Sequence, residues 1–326
     1  MRSYVMRRVL LMLPTIFLAS LIAFFIIRFI PGSIIDLMTT EMVDYREQDR
    51  QVIEHALGLD VPVIQQYGRW IGVLPHADGE ISGLLQGNLG ISLWRRTPVV
   101  ESILTRWPIT LELGLMALII AQLIALPLGI YSALRQDTWG DYISRSFGTL
   151  LIAVPYFWLG TMVIVFPSIW WGWSPPIMVI PFNVDPIGNL KMFILPAAIL
   201  GMAISGTTMR MTRTMMLEVL RQDYIRTAWA KGLRERVVIM RHALKNTLIP
   251  VISLIGIYIP IIIGGTVIIE EIFGLPGIGR LLLDAVSRRD YTMVNGVLML
   301  FAIGMVFINL VVDLAYGLVD PRIRFK

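Results

Sequence analysis

The sequence predicts an all-α polytopic membrane protein with six transmembrane helices. Three observations support this class. First, 56% of the 326 residues are hydrophobic and the mean hydropathy is +0.71. Second, only 16% of the residues are charged, against roughly 25% in a soluble domain. Third, the apolar residues form separate runs of about 20 residues, which as helices are long enough to cross a hydrocarbon core of roughly 30 Å.

The net charge of +5 and the pI of about 9.6 would also suit a nucleic-acid-binding protein. The basic residues are concentrated, however, in segments on one side of the predicted membrane, so membrane topology explains them better. We therefore expect the lipid bilayer as the surroundings of this chain and no nucleic acid as a partner. Disulfides and thiolate metal sites are excluded because the sequence has no cysteine.

The first span is predicted in the apolar run from Val9 to Ile30, which follows three arginines. This run is longer than the apolar part of a secretory signal and has no small-residue cleavage site, so we expect an uncleaved helix. Residues 31–107 form a polar segment rich in turn residues, in which we expect an amphipathic helix around Gln48–Leu57. We predict a folded extracytoplasmic cap here, so that 1–107 form a first domain and 108–326 a five-helix core.

The five later spans follow at regular intervals along the core. They are predicted from Thr110 to Ala133, from Ser146 to about Phe166, from about Met192 to Met209, from Leu248 to Ile269 and from Val294 to about Ala315. Most Lys and Arg residues fall at the two ends of the chain and in the segments after spans two and four. Because the side rich in Lys and Arg faces the cytoplasm, both termini are expected there.

The longest strongly charged stretch between two apolar runs is residues 223–252. We predict two short helices in this region. The first runs from about Met215 to Lys231 and ends at Gly232, the residue type that most easily adopts positive φ. The second begins near Arg234 and continues until Pro250 opens the next apolar run. The result is a helix–Gly–helix hairpin, at about 215–247, between spans four and five.

One face of the second hairpin helix is predicted to be apolar, because Val237, Met240, Leu244 and Leu248 recur at helical spacing. Such a hairpin can lie on a membrane surface or fill a groove on a soluble partner. A loop whose basic residues only satisfy topology is the alternative. Docking of a cytosolic partner is favoured because the loop is far longer than a turn and keeps helical periodicity.

The sequence has few residue patterns that are typical of catalytic or ligand-binding sites. The sequence contains no G-x-x-x-x-G-K-[ST] phosphate loop, and its histidines lack metal-ligand spacing. Among strongly polar groups only Gln122 lies near the middle of a span, so a transporter driven by internal charges is disfavoured. A water-filled path would be lined by backbone, small residues and a few hydroxyls such as Ser205, Thr207 and Thr208. These features indicate a pore subunit, not an enzyme, whose motor is another polypeptide.

The hairpin also carries a family resemblance. Arg226-Thr227-Ala228, followed after three residues by Gly232, resembles the Glu-Ala-Ala-x-x-x-Gly signature of membrane subunits in binding-protein-dependent ABC importers. Together with GNLGIS, EEIFGLPGIGR and NLVVDLAYGLVDPRIR, the chain resembles the B-type membrane subunit of the dipeptide/oligopeptide (peptide/nickel) ABC transporter permease family. The likeness spans nearly the whole chain in order. It departs from the pattern at Trp229, where a basic residue is expected.

The resemblance implies a type I ABC importer permease fold in a bacterial or archaeal plasma (inner) membrane. It implies as partners a homologous C-type permease subunit, two cytosolic ABC ATPase subunits and an extracytoplasmic solute-binding protein. No cofactor would bind this chain, since ATP and Mg²⁺ would bind the ATPases. The hairpin would be the coupling helix that contacts an ATPase, with candidate contacts at Asp223, Tyr224, Arg226, Thr227, Ala228, Gly232 and Leu233.

The solute and two other functions stay open at this point. Members of the family are similar to carriers of dipeptides, longer peptides, nickel complexes, glutathione and oligosaccharides. A permease-like anchor that docks a partner without moving solute is one alternative function. A carrier that works alone and is coupled to an ion gradient is the other.

Overall fold

The computed structural model describes residues 2–26, 28, 54, 59–76, 79–176 and 178–319. Within these ranges the regular structure is helical, apart from one isolated antiparallel bridge between Ile91 and Pro98. Five helices are long and apolar enough to cross a membrane, and a bent helix pair makes a sixth span. The predicted all-α polytopic class is therefore confirmed. The amphipathic helix expected around Gln48–Leu57 and the chain after residue 319 lie outside the described residues, except for residue 54.

The helices follow one another with short connections. In chain order they are α1 Arg2–Ile26, α2 Val63–Ile71, α3 Val99–Leu134, α4 Trp139–Ala153, α5 Tyr156–Trp171, α6 Pro186–Leu220, α7 Asp223–Ala230, α8 Glu235–Phe273, α9 Ile278–Ser287 and α10 Tyr291–Val319. The spans are α1, α3, the pair α4–α5, α6, α8 and α10. Because α2, α7 and α9 are short, they belong to the connections between spans.

The structure differs from the prediction in three places. The third span, expected as one helix from Ser146 to Phe166, is bent by 86° between α4 and α5. The bend falls where Pro155 follows Val154, because the residue before a proline is disfavoured in the helical region. Pro250 does not open a new helix but lies inside α8. Helix α9 was not predicted from the sequence.

The chain forms two compact units. One contains Ile109–Gly279 with the described parts of Met1–Val5 and Ile308–Lys326, and the other contains the described parts of Met6–Pro108 and Arg280–Phe307. The division at residues 107 and 108 that the sequence suggests stays a prediction.

Helix α6 is at the centre of the first unit, where glycines allow close helix packing. Leu200 of α6 is buried in the main hydrophobic core. A Cβ atom placed on Gly201 would lie 2.6 Å from the carbonyl oxygen of Ala117 in α3. A Cβ atom on Gly206 would lie 2.5 Å from the carbonyl oxygen of Gly148 in α4. Glycines at such contacts let transmembrane helices approach closely and gain van der Waals packing.

The second unit is organised around aromatic side chains. Phe24 near the end of α1 is buried against Tyr67 and Trp70 of α2, with ring centroids 5.2 and 5.5 Å apart. In the same unit the hydroxyl of Ser92 donates a hydrogen bond to the buried carboxylate of Asp290. These contacts fold the described part of the polar segment onto the helices of its own unit.

Candidate functional site

The basic hairpin, defined here as residues 221–247, differs from its prediction at the first helix. The helix expected from Met215 to Lys231 is interrupted, because Gln222 has extended backbone angles and α7 begins anew at Asp223. An aspartate in a first turn stabilises the positive end of the helix dipole. The hairpin turn agrees with the prediction, since Gly232 has a φ of +75° just after α7.

A small apolar core holds α7 on the spans that flank it. Ile225 and Ala228 lie three positions apart on one face of α7 and are both buried. They belong to a cluster with Ala133 of α3, Met216 of α6 and Val238, Ile239 and Ala243 of α8. Because residues of α3, α6 and α8 share this core, α7 is packed against the helical bundle.

The apolar stripe predicted for the second hairpin helix is divided in the structure, because Val237 and Met240 are exposed whereas Leu244 and Leu248 are half-buried. Val237 and Met240 are 37% and 55% exposed, whereas Val238 and Ile239 are buried. The physical reason is a π-helical turn at Val238–Ala243 within α8. A π-helical turn holds more residues than an α-helical turn, so it changes which side chains face the core.

Polar contacts also fix the hairpin. Asn246 of α8 donates a hydrogen bond from Nδ2 to the hydroxyl oxygen of Tyr224, at 2.7 Å. The hydroxyl of Thr227 donates to the carbonyl oxygen of Asp223 within α7, at 3.0 Å. The Tyr224 hydroxyl is therefore engaged inside the hairpin, while 42% of the residue is exposed.

The predicted contact residues divide into two groups. Asp223, Arg226 and Thr227 are exposed on α7, and Leu233 is exposed just beyond it. Ala228 instead is buried in the core of the hairpin, so it is a packing residue. The Asp223 carboxylate and the Arg226 guanidinium lie 3.6 Å apart on the surface. Exposed pairs of this kind contribute little to stability, so both charges are accessible to a partner.

Trp229 extends the apolar surface of the hairpin and was not among the contact residues predicted from the sequence. Trp229 is 44% exposed on α7, and Val237 and Met240 are exposed on the first turns of α8. Aromatic and methionine side chains are enriched at protein interfaces. The available signal was Trp229 itself, since it replaces a basic residue in the pattern that the hairpin resembles.

The hydroxyls predicted to line a path are placed differently by the structure. Ser205 and Thr208 are fully buried, and their hydroxyls donate to the carbonyl oxygens of Met202 and Ile204 in their own helix. The prediction is wrong for these two residues because α6 is the central helix of its unit. Thr207 is only half-buried.

Gln122 has a more unusual environment. Both polar atoms of its side chain are buried and have no hydrogen-bond partner among the described residues. The residue lines an open groove of about 440 Å³ together with apolar side chains that include Leu118, Leu126 and Ile255. An unpaired amide in an apolar setting lowers stability by about 1–3 kcal/mol. A hydrogen-bond partner would therefore stabilise the Gln122 side chain.

A buried ion pair next to the hairpin was also missed. Arg213 of α6 donates from Nε and Nη2 to the two carboxylate oxygens of Asp141 in α4, at 2.8 and 2.7 Å. Asp141 is fully buried and also accepts from the Ser132 hydroxyl and the Asp137 backbone N–H. The pair, which we call the α4–α6 clamp, joins two helices of the unit that carries the hairpin. Its members are 72 positions apart, so sequence spacing gave no sign of it.

Comparison with known protein families agrees with this arrangement. Residues 125–325 match the family described as "Binding-protein-dependent transport system inner membrane component", and residues 1–114 match the N-terminal region of such membrane components. The two matches together cover nearly the whole chain. The chain belongs to this family. It is therefore a multi-pass membrane component of a transport system, and we refer to it below as the permease.

Curated relatives cover the permease from end to end. It is 37% identical to the di/tripeptide transport system permease protein DppB of Pseudomonas aeruginosa, with all of both chains covered. It is 36% identical to the dipeptide transport system permease protein DppB of Escherichia coli K12, again over all of both chains. A putative peptide transport system permease protein of Brucella abortus is also 36% identical over its full length. The family prediction is thus confirmed.

A solved structure supports the fold. The permease resembles a chain of the inward-facing MetNI methionine ABC transporter with a TM-score of 0.51 and 17% sequence identity. The likeness covers 65% of the permease and 93% of that chain. At this identity the comparison concerns the fold alone, and it confirms the predicted fold of an ABC importer permease.

Proposed function

We propose that the permease forms, together with a homologous permease subunit, the translocation path of an ABC importer for di- or oligopeptides or a related small solute. Separate cytosolic ATPase subunits supply the energy by docking on the basic hairpin. The full-length likeness to peptide and dipeptide permeases supports the substrate class. The exposed surface of the hairpin, on a buried apolar core, supports the docking role.

The hairpin core is the observation that carries this proposal. Ile225 and Ala228 fix α7 to α6 and α8, so a displacement of α7 by a partner also displaces the ends of both spans. Exposed apolar side chains such as Trp229 and Met240 fit the helix-in-groove mode of recognition. When the ATPases close around ATP, the hairpins move as rigid bodies and tilt the spans between inward-open and outward-open states.

The remaining assignments belong to the same proposal. Both termini and the hairpin face the cytoplasm, as the distribution of Lys and Arg indicates. ATP and Mg²⁺ bind the ATPase subunits, and the permease itself holds no cofactor. A solute-binding protein docks on the extracytoplasmic part of domain 1–107, while 108–326 form the core with the path. Of the polar residues predicted in the spans, Gln122 and Thr207 are kept as path residues.

Reconstitution tests the function directly. Proteoliposomes are prepared with ATP and all components of the transport system: the permease, its homologous partner, the ATPases and the solute-binding protein. Uptake of a labelled dipeptide is then measured. ATP-dependent uptake that requires every component is the expected result. Uptake by the permease alone along an ion gradient would instead identify an ion-coupled carrier. Docking of the ATPases without any uptake would identify an anchor.

A further inference from the structure

The second unit contains a cavity of about 630 Å³ whose wall is formed by that unit alone. The described wall consists of the end of α1 with Arg28, residues 59–61, helix α2, His76, the loop at 82–93 and the start of α10. Side chains on this wall include Phe24, Arg28, Gln66, Arg69, Trp70 and Asn295. Small-molecule sites commonly have volumes of about 300–1,000 Å³, so the cavity has the size of a ligand site.

Arg28 is the decisive residue on the wall. Its guanidinium donates to the carbonyl oxygen of Phe24 at 2.7 Å and to Oε1 of Gln66 at 2.9 Å. It also lies 3.5 Å from the centre of the Phe24 ring. No carboxylate among the described residues pairs with it, and burial lowers the pKa of Arg28 to about 10. The group is still protonated at neutral pH, so a partly desolvated positive charge faces the cavity, and it forms no ion pair with the described residues.

An uncompensated charge that is partly removed from water is costly unless an anion joins it. Two of the five guanidinium N–H groups of Arg28 are used in the two hydrogen bonds, and three are left. Arg69 lies three positions after Gln66 on α2 and adds a second guanidinium to the same wall. Within the described part of the chain Arg69 also has no ion pair. The described wall thus carries two guanidinium groups against one carboxylate, that of Asp60, and its net positive charge favours an anion.

Two more residues of the wall favour an occupant with peptide groups. The side-chain N–H of Trp70 and the side-chain oxygen of Asn295 are buried and lack hydrogen-bond partners within the described residues. One is a donor and the other an acceptor. A peptide unit has both the carbonyl and the N–H that these groups need, whereas an anion such as sulfate has acceptors only.

We propose that this cavity, the α2 cavity, binds a solute of dipeptide size through its carboxylate, with Arg28 as the main contact and Arg69 as the second. The choice of a peptide rests on the proposed function, whereas the carboxylate is argued from the wall itself. The planar guanidinium matches a carboxylate through two parallel hydrogen bonds. The site would make the permease a selective element for solutes that bear a free carboxylate.

Equilibrium dialysis tests this inference on the full-length permease and its partner permease in lipid nanodiscs. The probes are labelled Ala-Phe and Ala-Phe-amide, which lacks only the carboxylate. The variants are Arg28→Gln, Arg28→Lys and, as a matched control, Arg96→Gln, which removes an exposed arginine of the same unit. Thermal unfolding of each variant verifies that it is folded.

Ala-Phe should bind at least about tenfold more tightly than its amide, the loss expected for one hydrogen bond to a charged group. The affinity for Ala-Phe should fall by about the same factor in Arg28→Gln and by a smaller factor in Arg28→Lys. Arg96→Gln should bind Ala-Phe as the wild type does. Equal binding of the two probes would overturn the proposal, as would unchanged binding by folded Arg28→Gln. It would also be overturned if Arg28→Gln weakened only docking of the solute-binding protein. If Ala-Phe does not bind but ATP-driven uptake is intact, only the proposed binding site in the α2 cavity is overturned, because uptake tests the proposed function separately.

Discussion

Replacement of Gly232 by valine tests the coupling role of the hairpin most sharply. Gly232 has a φ of +75°, and no atom lies within 4 Å of a Cβ placed on it. A new side chain therefore meets no neighbour, and only the backbone conformation opposes the substitution. An L-residue in this region costs about 1–2 kcal/mol, and a β-branched residue is a stronger outlier than asparagine, which visits the region readily.

A cost of 1–2 kcal/mol corresponds to a factor of roughly 5–30 in the population of the native turn. We expect Gly232→Val to lower peptide uptake per ATP hydrolysed by about this factor, because α7 is no longer held rigidly between α6 and α8. Membrane insertion and assembly should be unchanged. Gly232→Asn should keep uptake close to that of the wild type, because asparagine tolerates positive φ.

The assay measures dipeptide uptake and phosphate release in the same proteoliposomes, so that their ratio reports coupling. Unfolding temperatures of the three proteins serve as the control for global damage. A wild-type ratio in Gly232→Val would refute the idea that the turn transmits force. Equal damage in Gly232→Val and Gly232→Asn would refute the conformational reasoning, since the two residues differ mainly in their tolerance of positive φ.

Three further substitutions test other parts of the first unit. Arg213→Leu should destabilise the permease by about 3–5 kcal/mol, because Asp141 is left buried and unpaired; an unchanged unfolding temperature would contradict the α4–α6 clamp. Thr110→Val should cost about 1.5–3 kcal/mol, because the threonine hydroxyl donates to the buried carboxylate of Glu270 at 2.7 Å. Thr110→Ser keeps this hydroxyl and should be nearly neutral, and equal losses in both variants would mean that the bond contributes nothing. Gln122→Leu should leave the unfolding temperature of the isolated chain unchanged or raise it. In the assembled importer, the same substitution should lower peptide uptake. A lower unfolding temperature would show that the amide of Gln122 is paired.

The spans were predictable from the sequence because length and hydropathy alone decide whether a helix can cross a membrane. Breaks within them were harder to place. Pro155 bends the third span by 86°, whereas Pro250 is accommodated inside α8. Both prolines remove a backbone donor, so the outcome depends on how neighbouring helices satisfy the freed groups. The residues next to each proline in the sequence do not show which helices pack against it.

The site was predicted in part for a similar reason. The turn at Gly232 follows from a rule about one residue type and was found. A π-helical turn at Val238–Ala243 changes the register of α8. Apolar periodicity does not predict this turn, so the burial of Val238 and Ile239 was not foreseen. The contact of Asp141 with Arg213 arises only when α4 packs on α6. Tertiary packing therefore decides the parts that local patterns leave open.

Cross-linking from the hairpin tests the central claim most directly. The permease has no cysteine of its own, so a single introduced thiol reports one position. Thr227→Cys places it on the exposed side of α7 and Ala228→Cys, the matched control, in the buried core. In the reconstituted importer, a short thiol-reactive cross-linker should join Thr227→Cys, but not Ala228→Cys, to an ATPase subunit. The account would be contradicted by an importer that hydrolyses ATP and takes up peptide normally, gives no cross-link at Thr227→Cys, and forms cross-links to its ATPases only from permease positions outside residues 221–247.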